Sequence, residues 1–444
     1  MSSRTAKAGL ALAACLALHP LALIAQQSPA PVASPWEDGP ERFRLAAGMD
    51  CLYQKDSSSL VTIVALFVPG GKSAVPEGKD GLAFLSARLT LEIPDYTAAQ
   101  DIMAQATRMG ITVLEDCSVI CIECLSENLD EALRVASEII QDPLFSGVRI
   151  DNVKKLMSIY GKAEEDDAAE AGHNAAMGAF FRGRGYGSAV YGTASSLKSI
   201  EKKDVTESYA RFFTRSGVFF SVCSNLGRDR VRAPLEKYFV KFKTARTEPV
   251  SPSPPASPED GTISLERDTK QTYIARAYPL PPPTVGSWEK GYLLEVLLGK
   301  GPGSRLWDLR AQGRLAYNVG ARLTWMKAGG VIEAYLETEN SKKEQAVTAL
   351  GGVLQTLYEK GVTEEELSMT RSLARAHLLR TNEAKKPRAQ SMGLFEVLGL
   401  GFDYLSTAFA GIDAITPAEM NAYIRGALAP DKSLLVLVGG KARP

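Results

Sequence analysis

The feature that most constrains the fold is a proline-rich segment in the middle of the chain, EPVSPSPPASPEDG at Glu248–Gly261. Proline lacks a backbone N–H and has a fixed φ, so a segment this rich in proline cannot continue a helix or pair inside a sheet. The composition predicts an exposed linker over residues 246–262. The linker separates a first half, residues 40–245, from a second half, residues 263–444, and each half is long enough for a core of its own.

The two halves show the same order of predicted elements. Each begins with a strand-like run, VTIVALFVPG in the first half and TYIARAYPL in the second, and then has a glycine-marked turn into a helix. Each continues with two alternating runs, two helices, a short helix and a final strand. The shared order β, α, β-hairpin, α, α, β predicts an α+β fold of two tandem homologous lobes, each a mainly antiparallel sheet covered by helices.

The N-terminus has the features of a secretory signal peptide. Arg4 and Lys7 precede an apolar run, AGLALAACLALHPLALIA, which ends at Ala25 before the polar segment QQSPAPVASP. This arrangement predicts a signal peptide over residues 1–25 and an exported protein, located in a bacterial periplasm. LAAC, which ends at Cys15, resembles a lipoprotein cleavage box, but the apolar run continues past that cysteine, which favours export without a lipid anchor.

Charge and hydropathy argue against binding to nucleic acid and against association with a membrane. The chain has 51 Lys and Arg against 51 Asp and Glu, a formal net charge of zero. We therefore expect neither nucleic-acid binding nor electrostatic attachment to an anionic membrane. After the predicted signal, no segment approaches ~18 uninterrupted apolar residues, so we do not expect the mature chain to span a membrane.

The first half contains a motif frame that resembles a known zinc site. The run VPGGKSAVPEGKDGLAFLSARLTL is similar to the zinc-site region of the pitrilysin/insulinase-like metallopeptidases, the superfamily that includes mitochondrial processing peptidase. Its members have a strand, a glycine-marked turn and Gly-Leu-Ala before an inverted zinc motif, H-x-x-E-H. The tandem halves, the linker and the tract RGYGSAVYGTASSLKSIEKKDV extend the resemblance over nearly the whole mature chain.

The residues at the motif positions differ from those that the chemistry needs. Aligned with H-x-x-E-H, the chain has Phe84 for the first His, Ala87 for the Glu and Arg88 for the second His. Zinc hydrolysis needs neutral imidazoles on the metal and a carboxylate that takes a proton from the metal-bound water. Phe and Ala have no donor atom, and Arg is always cationic. The resemblance therefore implies a degenerate site, no metal cofactor in this chain and no activity of the chain on its own.

Other ligands for a metal or for a catalytic triad are scarce. In active relatives a further Glu ligand lies on a downstream helix, but the aligned residues here, Ser158–Gly161, include no carboxylate, and the next one is Glu164. The mature chain has only two histidines, His173 and His377. Glu170 and His173 give one possible pair on a predicted helix without a third ligand. We interpret His173 as a packed helical residue and His377 as a helix-surface or interface residue.

Three cysteines lie close together in the strand-like run DCSVICIECL. Cys117 and Cys121 share one face of a strand, and Cys124 points to the other. A zinc ribbon would need a second cysteine pair and more open turns. The pattern favours small apolar thiols in a core.

The second half resembles another signature of the same superfamily. In GPGSRLWDLRAQGRLAYNVGARL, a Gly/Ser-marked helix start leads to an L-R helix and then to a turn that opens a strand. In the relatives, an Arg and a Tyr seven residues apart contact the substrate at the zinc site of the other half or of a partner subunit. Arg310 and Tyr317 have this spacing. The resemblance, with the matching flanks LR and LAYNV, implies that they bind substrate and stabilise an oxyanion, whereas spacing alone favours an exposed helix Arg and a core strand Tyr.

Three functions are compatible with this pattern. The resemblance favours a catalytically inactive subunit of an exported heterodimeric zinc peptidase, which supplies Arg310 and Tyr317 to peptide bound at the zinc of a homologous H-x-x-E-H subunit. The alternative is a stand-alone pseudo-peptidase that binds peptides or acts as a scaffold. An independent hydrolase with an unrecognised site is disfavoured, because only two of the three histidines lie outside the predicted signal peptide and no G-x-S-x-G elbow occurs.

Overall fold

The computed structural model describes residues 36, 38–93, 107–245, 253–256, 258, 261–311 and 313–440. The predicted signal peptide, with Cys15, and most of the predicted linker lie outside these residues. No helix in the described ranges is long and apolar enough to cross a membrane.

The described part of the first half forms one mixed sheet and a set of helices. Its strands are β1 (Glu41–Arg44), β2 (Asp50–Lys55), β3 (Val61–Pro69), β4 (Arg108–Val113), β5 (Cys117–Leu125) and β6 (Phe219–Ser224). Its helices are α1 (Leu82–Leu89), α2 (Leu129–Gln141), α3 (Gly147–Asp166), α4 (Ala168–Phe180), α5 (Ala194–Ser199), α6 (Lys202–Phe212) and α7 (Arg228–Tyr238).

The second half repeats this organisation. Its strands are β7 (Thr262–Glu266), β8 (Gln271–Leu280), β9 (Asn318–Met326), β10 (Gly329–Glu339) and β11 (Leu434–Gly439). Its helices are α8 (Ser287–Gly299), α9 (Trp307–Ala311), α10 (Lys343–Lys360), α11 (Glu364–Thr381), α12 (Lys385–Leu398), α13 (Tyr404–Ala414) and α14 (Pro417–Ala427).

The order of strands shows that the two halves are repeats. The first sheet runs β1-β2-β6-β3-β5-β4, and the second runs β7-β11-β8-β10-β9. Without β1 the two orders are identical, and in each sheet only the pairing with the last strand, β2 with β6 and β7 with β11, is parallel. The predicted α+β fold of two tandem lobes, each a mainly antiparallel sheet with helices, is confirmed.

Local sequence explains where equivalent helices begin. Ser146 accepts a hydrogen bond from the Arg149 N–H at the start of α3, and Thr363 accepts one from the Glu366 N–H at the start of α11. These side chains satisfy backbone donors that have no partner within the helix. The buried strand β3, whose seven central residues TIVALFV are all inaccessible to solvent, is a continuous apolar run because both faces of the sheet are covered.

One helix of each half covers the sheet of the other half. From the first half, α4 packs Met177 and Phe180 into a cluster with Tyr273 of β8 and Val438 of β11. From the second half, α12 packs Ala389 and Met392 into a cluster with residues of β3, β5 and β6, namely Ile63, Cys121 and Cys223. The two halves are therefore joined by a reciprocal exchange of helices, which we call the helix exchange.

A glycine permits close contact at each side of the helix exchange. In α4, a Cβ at Gly172 would lie 2.6 Å from Cε1 of Tyr273. In α12, a Cβ at Gly393 would overlap the ring of Phe67 on β3. Both glycines are helical, and both face an aromatic ring of the opposite half, so the helix backbone lies directly against that ring.

Polar contacts add to the helix exchange. On α4, His173 Nδ1 lies 2.5 Å from Oε2 of Glu333 on β10. On α12, Lys385 Nζ donates to the carbonyl oxygens of Ser59 and Val61, at 2.7 and 2.8 Å. These contacts join a strand of each sheet to a helix that belongs, in sequence, to the other half.

The described part of the linker is attached to the body of the protein. The N–H of Ala256 donates to the carbonyl oxygen of Phe180 at the end of α4, and Pro255 lies against Gly329. Residues 253 and 254 are exposed, whereas residues 255 and 256 are half-buried.

Candidate functional site

The helix that contains the degenerate motif, α1, is held tightly against α3. Leu82, Leu85 and Leu89 pack with Ile150 and Met157 of α3 in one apolar cluster. The helix begins after Gly81, which has a φ of 92° and at which a Cβ would lie 2.8 Å from Met157 Cε. A glycine is required there because the backbone is left-handed and the neighbouring helix is close.

The position of the first zinc ligand is occupied by an aromatic cluster. Phe84 is 6% exposed, and its ring centroid lies 4.9 Å from that of Tyr191 and 6.3 Å from that of Tyr160, with both rings edge-on. Tyr160 and Tyr191 also contact each other, at 5.3 Å. Tyr160 belongs to the segment of α3 that we aligned with the third metal ligand. The elements that frame a zinc site in the relatives therefore meet here, but they bring rings together instead of metal ligands.

The other two motif positions also serve packing and surface contacts. Ala87 is 2% exposed and has no polar side-chain atom. Arg88 forms an ion pair with Glu92, one turn further along, at 2.7 Å, and both side chains are partly exposed. Neither Phe84 nor Ala87 has a side-chain atom that could bind a metal or take a proton from a metal-bound water.

A buried lysine adds positive charge near this frame. Lys72, in the turn after β3, is 4% exposed, and its nearest carboxylate oxygen belongs to Glu115, at 3.9 Å. Burial lowers the pKa of Lys72, while Glu115, Glu164 and Asp80 act in the opposite direction. An ammonium group in this position would repel a divalent metal ion, which further disfavours the binding of zinc.

Metal ligands are not grouped elsewhere in the described ranges. Over those residues, no cluster of three or more His, Cys, Asp or Glu side chains is placed to hold a metal ion. His173 contacts Glu333, while Glu170 forms its ion pair with Arg322, at 2.5 Å. The pair suggested by the spacing of Glu170 and His173 is thus two separate contacts between the halves. His377 lies on α11, half-buried, with Nε2 3.4 Å from the carbonyl oxygen of Lys300, and burial lowers its pKa.

The cysteines are core residues. Cys117, Cys121 and Cys124 on β5 and the further Cys51 and Cys223 are all buried and free. Burial raises the pKa of Cys121 to about 11 and that of Cys124 to about 12. A thiol with so high a pKa is not ionised at neutral pH and is not a nucleophile.

Arg310 and Tyr317 line one surface cavity of about 370 Å³. Arg310 ends α9, and its guanidinium carbon lies 4.9 Å above the ring centroid of Trp307. Tyr317 precedes β9, where its N–H donates to the carbonyl oxygen of Glu337, and its side chain is 62% exposed. A strand Tyr left this open to solvent is not a core residue, so the alternative of a core Tyr does not apply.

Arg314 is a residue of this cavity that sequence reasoning missed. It also lines the cavity, and its φ of 45° places it in the left-handed region. The Gly-Arg pair at Gly313 and Arg314 was a turn signal, but nothing in the spacing indicated which way the second arginine would lie. The cavity therefore has two guanidinium groups, one phenol and an ion pair between Lys342 and Glu339. The excess of positive charge suits an anionic or developing anionic oxygen.

Comparisons with known proteins agree with the resemblance. Residues 199–373 match the family described as "Peptidase M16 inactive domain". The chain is 23% identical to the "Non-peptidase homolog YmxG" of Helicobacter pylori, over 89% of this chain and 93% of that protein. It is 24% identical to an "Uncharacterized zinc protease" of Rickettsia felis, over 61% of this chain and 65% of that protein.

Two solved structures have the same fold. A peptidase M16 inactive domain from Pseudomonas fluorescens superposes with a TM-score of 0.83 at 19% identity, over 91% of this chain and 98% of that one. A protease from Helicobacter pylori superposes with a TM-score of 0.82 at 15% identity, over 92% and 100%. Together with the strand order of the two halves, these matches show that the chain has the two-lobed fold of M16-like peptidases and that its residues 199–373 match the M16 inactive-domain family. The chain is similar to the pitrilysin/insulinase-like metallopeptidases, but it lacks the H-x-x-E-H residues.

Proposed function

We propose that this chain is the non-catalytic subunit of an exported zinc peptidase. It would pair with a homologous subunit that has H-x-x-E-H and would contribute Arg310 and Tyr317 to peptide bound at that subunit's zinc. The observation that carries the proposal is a contrast within one chain. The motif frame on α1 is filled by Phe84 and its aromatic neighbours, whereas Arg310 and Tyr317 share an open cavity.

The chemistry of the cavity supports this role. Attack on a peptide carbonyl creates a negative oxygen, which hydrogen-bond donors and fixed positive charge stabilise. Arg310 provides a charge that is present at any working pH, and Tyr317 provides a hydroxyl donor. The contact with Trp307 restricts the Arg310 guanidinium, and the backbone hydrogen bond to Glu337 fixes the position of the Tyr317 backbone.

The first experiment is isolation of the chain from the exported fraction of its native host, with identification of co-purifying proteins. The proposal expects a homologous chain with H-x-x-E-H in a fixed ratio, with peptidase activity and bound zinc only when that chain is present. A chain that purifies alone and binds peptides without cleaving them would instead identify a pseudo-peptidase that acts as a binding or scaffold protein.

The second experiment tests the two side chains in the reconstituted pair. Loss of one oxyanion donor typically lowers turnover by ~10²–10³. Tyr317→Phe and Arg310→Ala should each lower the turnover number by about that factor, with assembly unchanged by size exclusion. Tyr358→Phe on α10 is a matched control, because the Tyr358 hydroxyl forms no hydrogen bond within the described residues. Turnover in Tyr317→Phe and Arg310→Ala equal to that of the control would refute the role of this pair.

A further inference from the structure

A second cavity, of about 310 Å³, lies between the two halves. From the first half it is lined by Arg44 of β1, Phe67 of β3 and Arg215 between α6 and β6. From the second half it is lined by Lys327, in the turn between β9 and β10, and by Val397 near the end of α12. It uses neither Arg310 nor Tyr317, so it is separate from the cavity of the proposed function. We call it the interlobe pocket.

One wall of the interlobe pocket is apolar and rigid. Phe67 and Phe219 are stacked, with ring centroids 5.0 Å apart and planes 9° from parallel. Leu52 and Val397 lie beside them. Phe67, Leu52 and Val397 are buried in the core of the protein, so this wall is fixed by packing and does not have to be ordered when a ligand arrives.

Two of the acidic groups at the interlobe pocket already have partners. Glu396 forms an ion pair with Arg42, at 2.6 Å. Asp116 accepts a hydrogen bond from the Tyr186 hydroxyl, at 2.7 Å, and another from the N–H of Lys327, at 2.8 Å. These carboxylates are therefore committed to protein donors.

The remaining charges leave an excess of cations. Arg44 lies opposite Asp50 in the register of β1 and β2. Within the described residues, the side chains of Arg215 and Lys327 form no ion pair, and Arg215 bonds only the carbonyl oxygen of Val240 through Nη2. Arg215 and Lys327 are therefore lining cations whose charge is not neutralised by an ion pair in the described part of the chain, and they account for the excess positive charge of the interlobe pocket.

We propose that the interlobe pocket binds a small monoanionic carboxylate with an apolar body, placed across the two halves. The four lining cations and three lining carboxylates leave one net positive charge, which matches a carboxylate better than a phosphate dianion. The half-buried ring of Phe219, held in place by Phe67, and the side chain of Val397 accept the apolar body. A volume of about 310 Å³ is suited to a ligand the size of one or two amino acids.

Binding is tested by ligand-observed NMR titration of the full mature chain at low salt. The probes are N-acetylphenylalanine, 3-phenylpropionate and the neutral N-acetylphenylalaninamide. A ligand of this size should bind with a Kd on the order of 1 mM. We expect at least about tenfold weaker binding of the amide, because it keeps the shape of the acid but not its charge. Tighter binding of N-acetylphenylalanine than of phenylpropionate would identify a peptide chain end as the source of the carboxylate, and the reverse a free aryl acid.

Two variants locate the site. Lys327→Gln and Arg44→Gln change exposed side chains, so the fold should persist, and each should weaken binding of the acid by about threefold to fivefold. Lys360→Gln, on an exposed lysine at the end of α10, is the matched control and should leave the Kd unchanged.

Three results would overturn the proposal. The first is equal affinity for the acid and the amide, which would show that charge is not recognised. The second is an unchanged Kd for the acid in both Lys327→Gln and Arg44→Gln, which would place its binding elsewhere. The third is no binding of either acid up to about ten times the expected Kd.

Discussion

The packing of α12 on the first sheet makes Gly393→Ala a sensitive test of the helix exchange. A Cβ at this position overlaps the Phe67 ring. That ring is fully buried and stacked on Phe219, so it cannot turn aside without disturbing the core. Either α12 must move away from β3 or the ring pair must shift, and overpacking of this kind typically costs ~1–3 kcal/mol.

The expected magnitude includes an opposing term. Ala is a better helix former than Gly by about 1 kcal/mol, which offsets part of the packing cost. Gly352 in the middle of α10 provides the control, because a Cβ there meets nothing within 4 Å. Gly352→Ala should therefore raise the free energy of unfolding by about 0.5–1 kcal/mol. Gly393→Ala should lower the free energy of unfolding by about 1–2 kcal/mol. This value is a packing cost of ~2–3 kcal/mol minus the gain of about 1 kcal/mol in helix propensity.

Urea titration followed by tryptophan fluorescence and by circular dichroism measures both variants on the same chain. Subtracting the stability change of Gly352→Ala from that of Gly393→Ala cancels the contribution of helix propensity and leaves the cost of packing against Phe67. Similar stabilisation in both would refute the reasoning, because it would mean that α12 can withdraw from Phe67 at no cost. Gly172→Ala on α4, where a Cβ would lie 2.6 Å from Tyr273, should behave like Gly393→Ala.

Three other predictions follow from the structure. The purified chain should hold no stoichiometric zinc after mild dialysis, and about one tightly bound zinc per chain by metal analysis would contradict the interpretation of Phe84, Ala87 and Arg88. Limited proteolysis should cut first within 248–261, and the two fragments should still elute together by size exclusion because of the helix exchange; separation on cutting would count against that contact. Lys72→Met should match or exceed the wild-type unfolding midpoint at pH 7, because it removes a buried ammonium. Burial lowers the folded-state pKa of Lys72, so the stability of the wild type should rise relative to that of the variant as the pH approaches 10.5. A stability advantage of the variant that grows with pH would contradict this explanation.

The repeat of the two halves could be predicted from the sequence because hydrophobic periodicity and turn residues are local features. The alternating runs gave the hairpins β4–β5 and β9–β10, and the capping residues Ser146 and Thr363 lie where equivalent helices begin. The proline-rich segment 248–261 lies between the last helix of the first half and the first strand of the second, and several prolines close together disfavour both helix and strand.

The helix exchange was not predicted, because it depends on contacts between residues far apart in sequence. Helix α4 precedes the linker, so its position in the sequence suggests that it packs on the first sheet. Nothing in its composition indicates that Met177 packs on β8 and β11 of the second sheet instead. Glu170 and His173 illustrate the same limit. Their spacing gave one possible pair of metal ligands. In the structure Glu170 instead forms an ion pair with Arg322, and His173 contacts Glu333.

At the candidate site, alignment with the motif located Phe84 but not what surrounds it. Sequence showed which atoms were missing from the ligand positions. It did not show that Tyr160 and Tyr191 would fill the space, because aromatic packing is decided by three elements meeting at one point. Arg310 and Tyr317 were found through their flanking residues, and their shared cavity followed only from the geometry.

The helix exchange has a consequence for the order in which the chain can fold during synthesis. The surface that covers α4 includes β11, which ends at Gly439, close to the end of the chain. The ribosome adds about 5–20 residues per second, so the apolar face of α4 stays without its partner for roughly 10–50 seconds after it is made. The burial of α4 therefore has to wait for β11. A chain with this requirement keeps part of its core exposed until β11 has been made, which would suit the export that we propose.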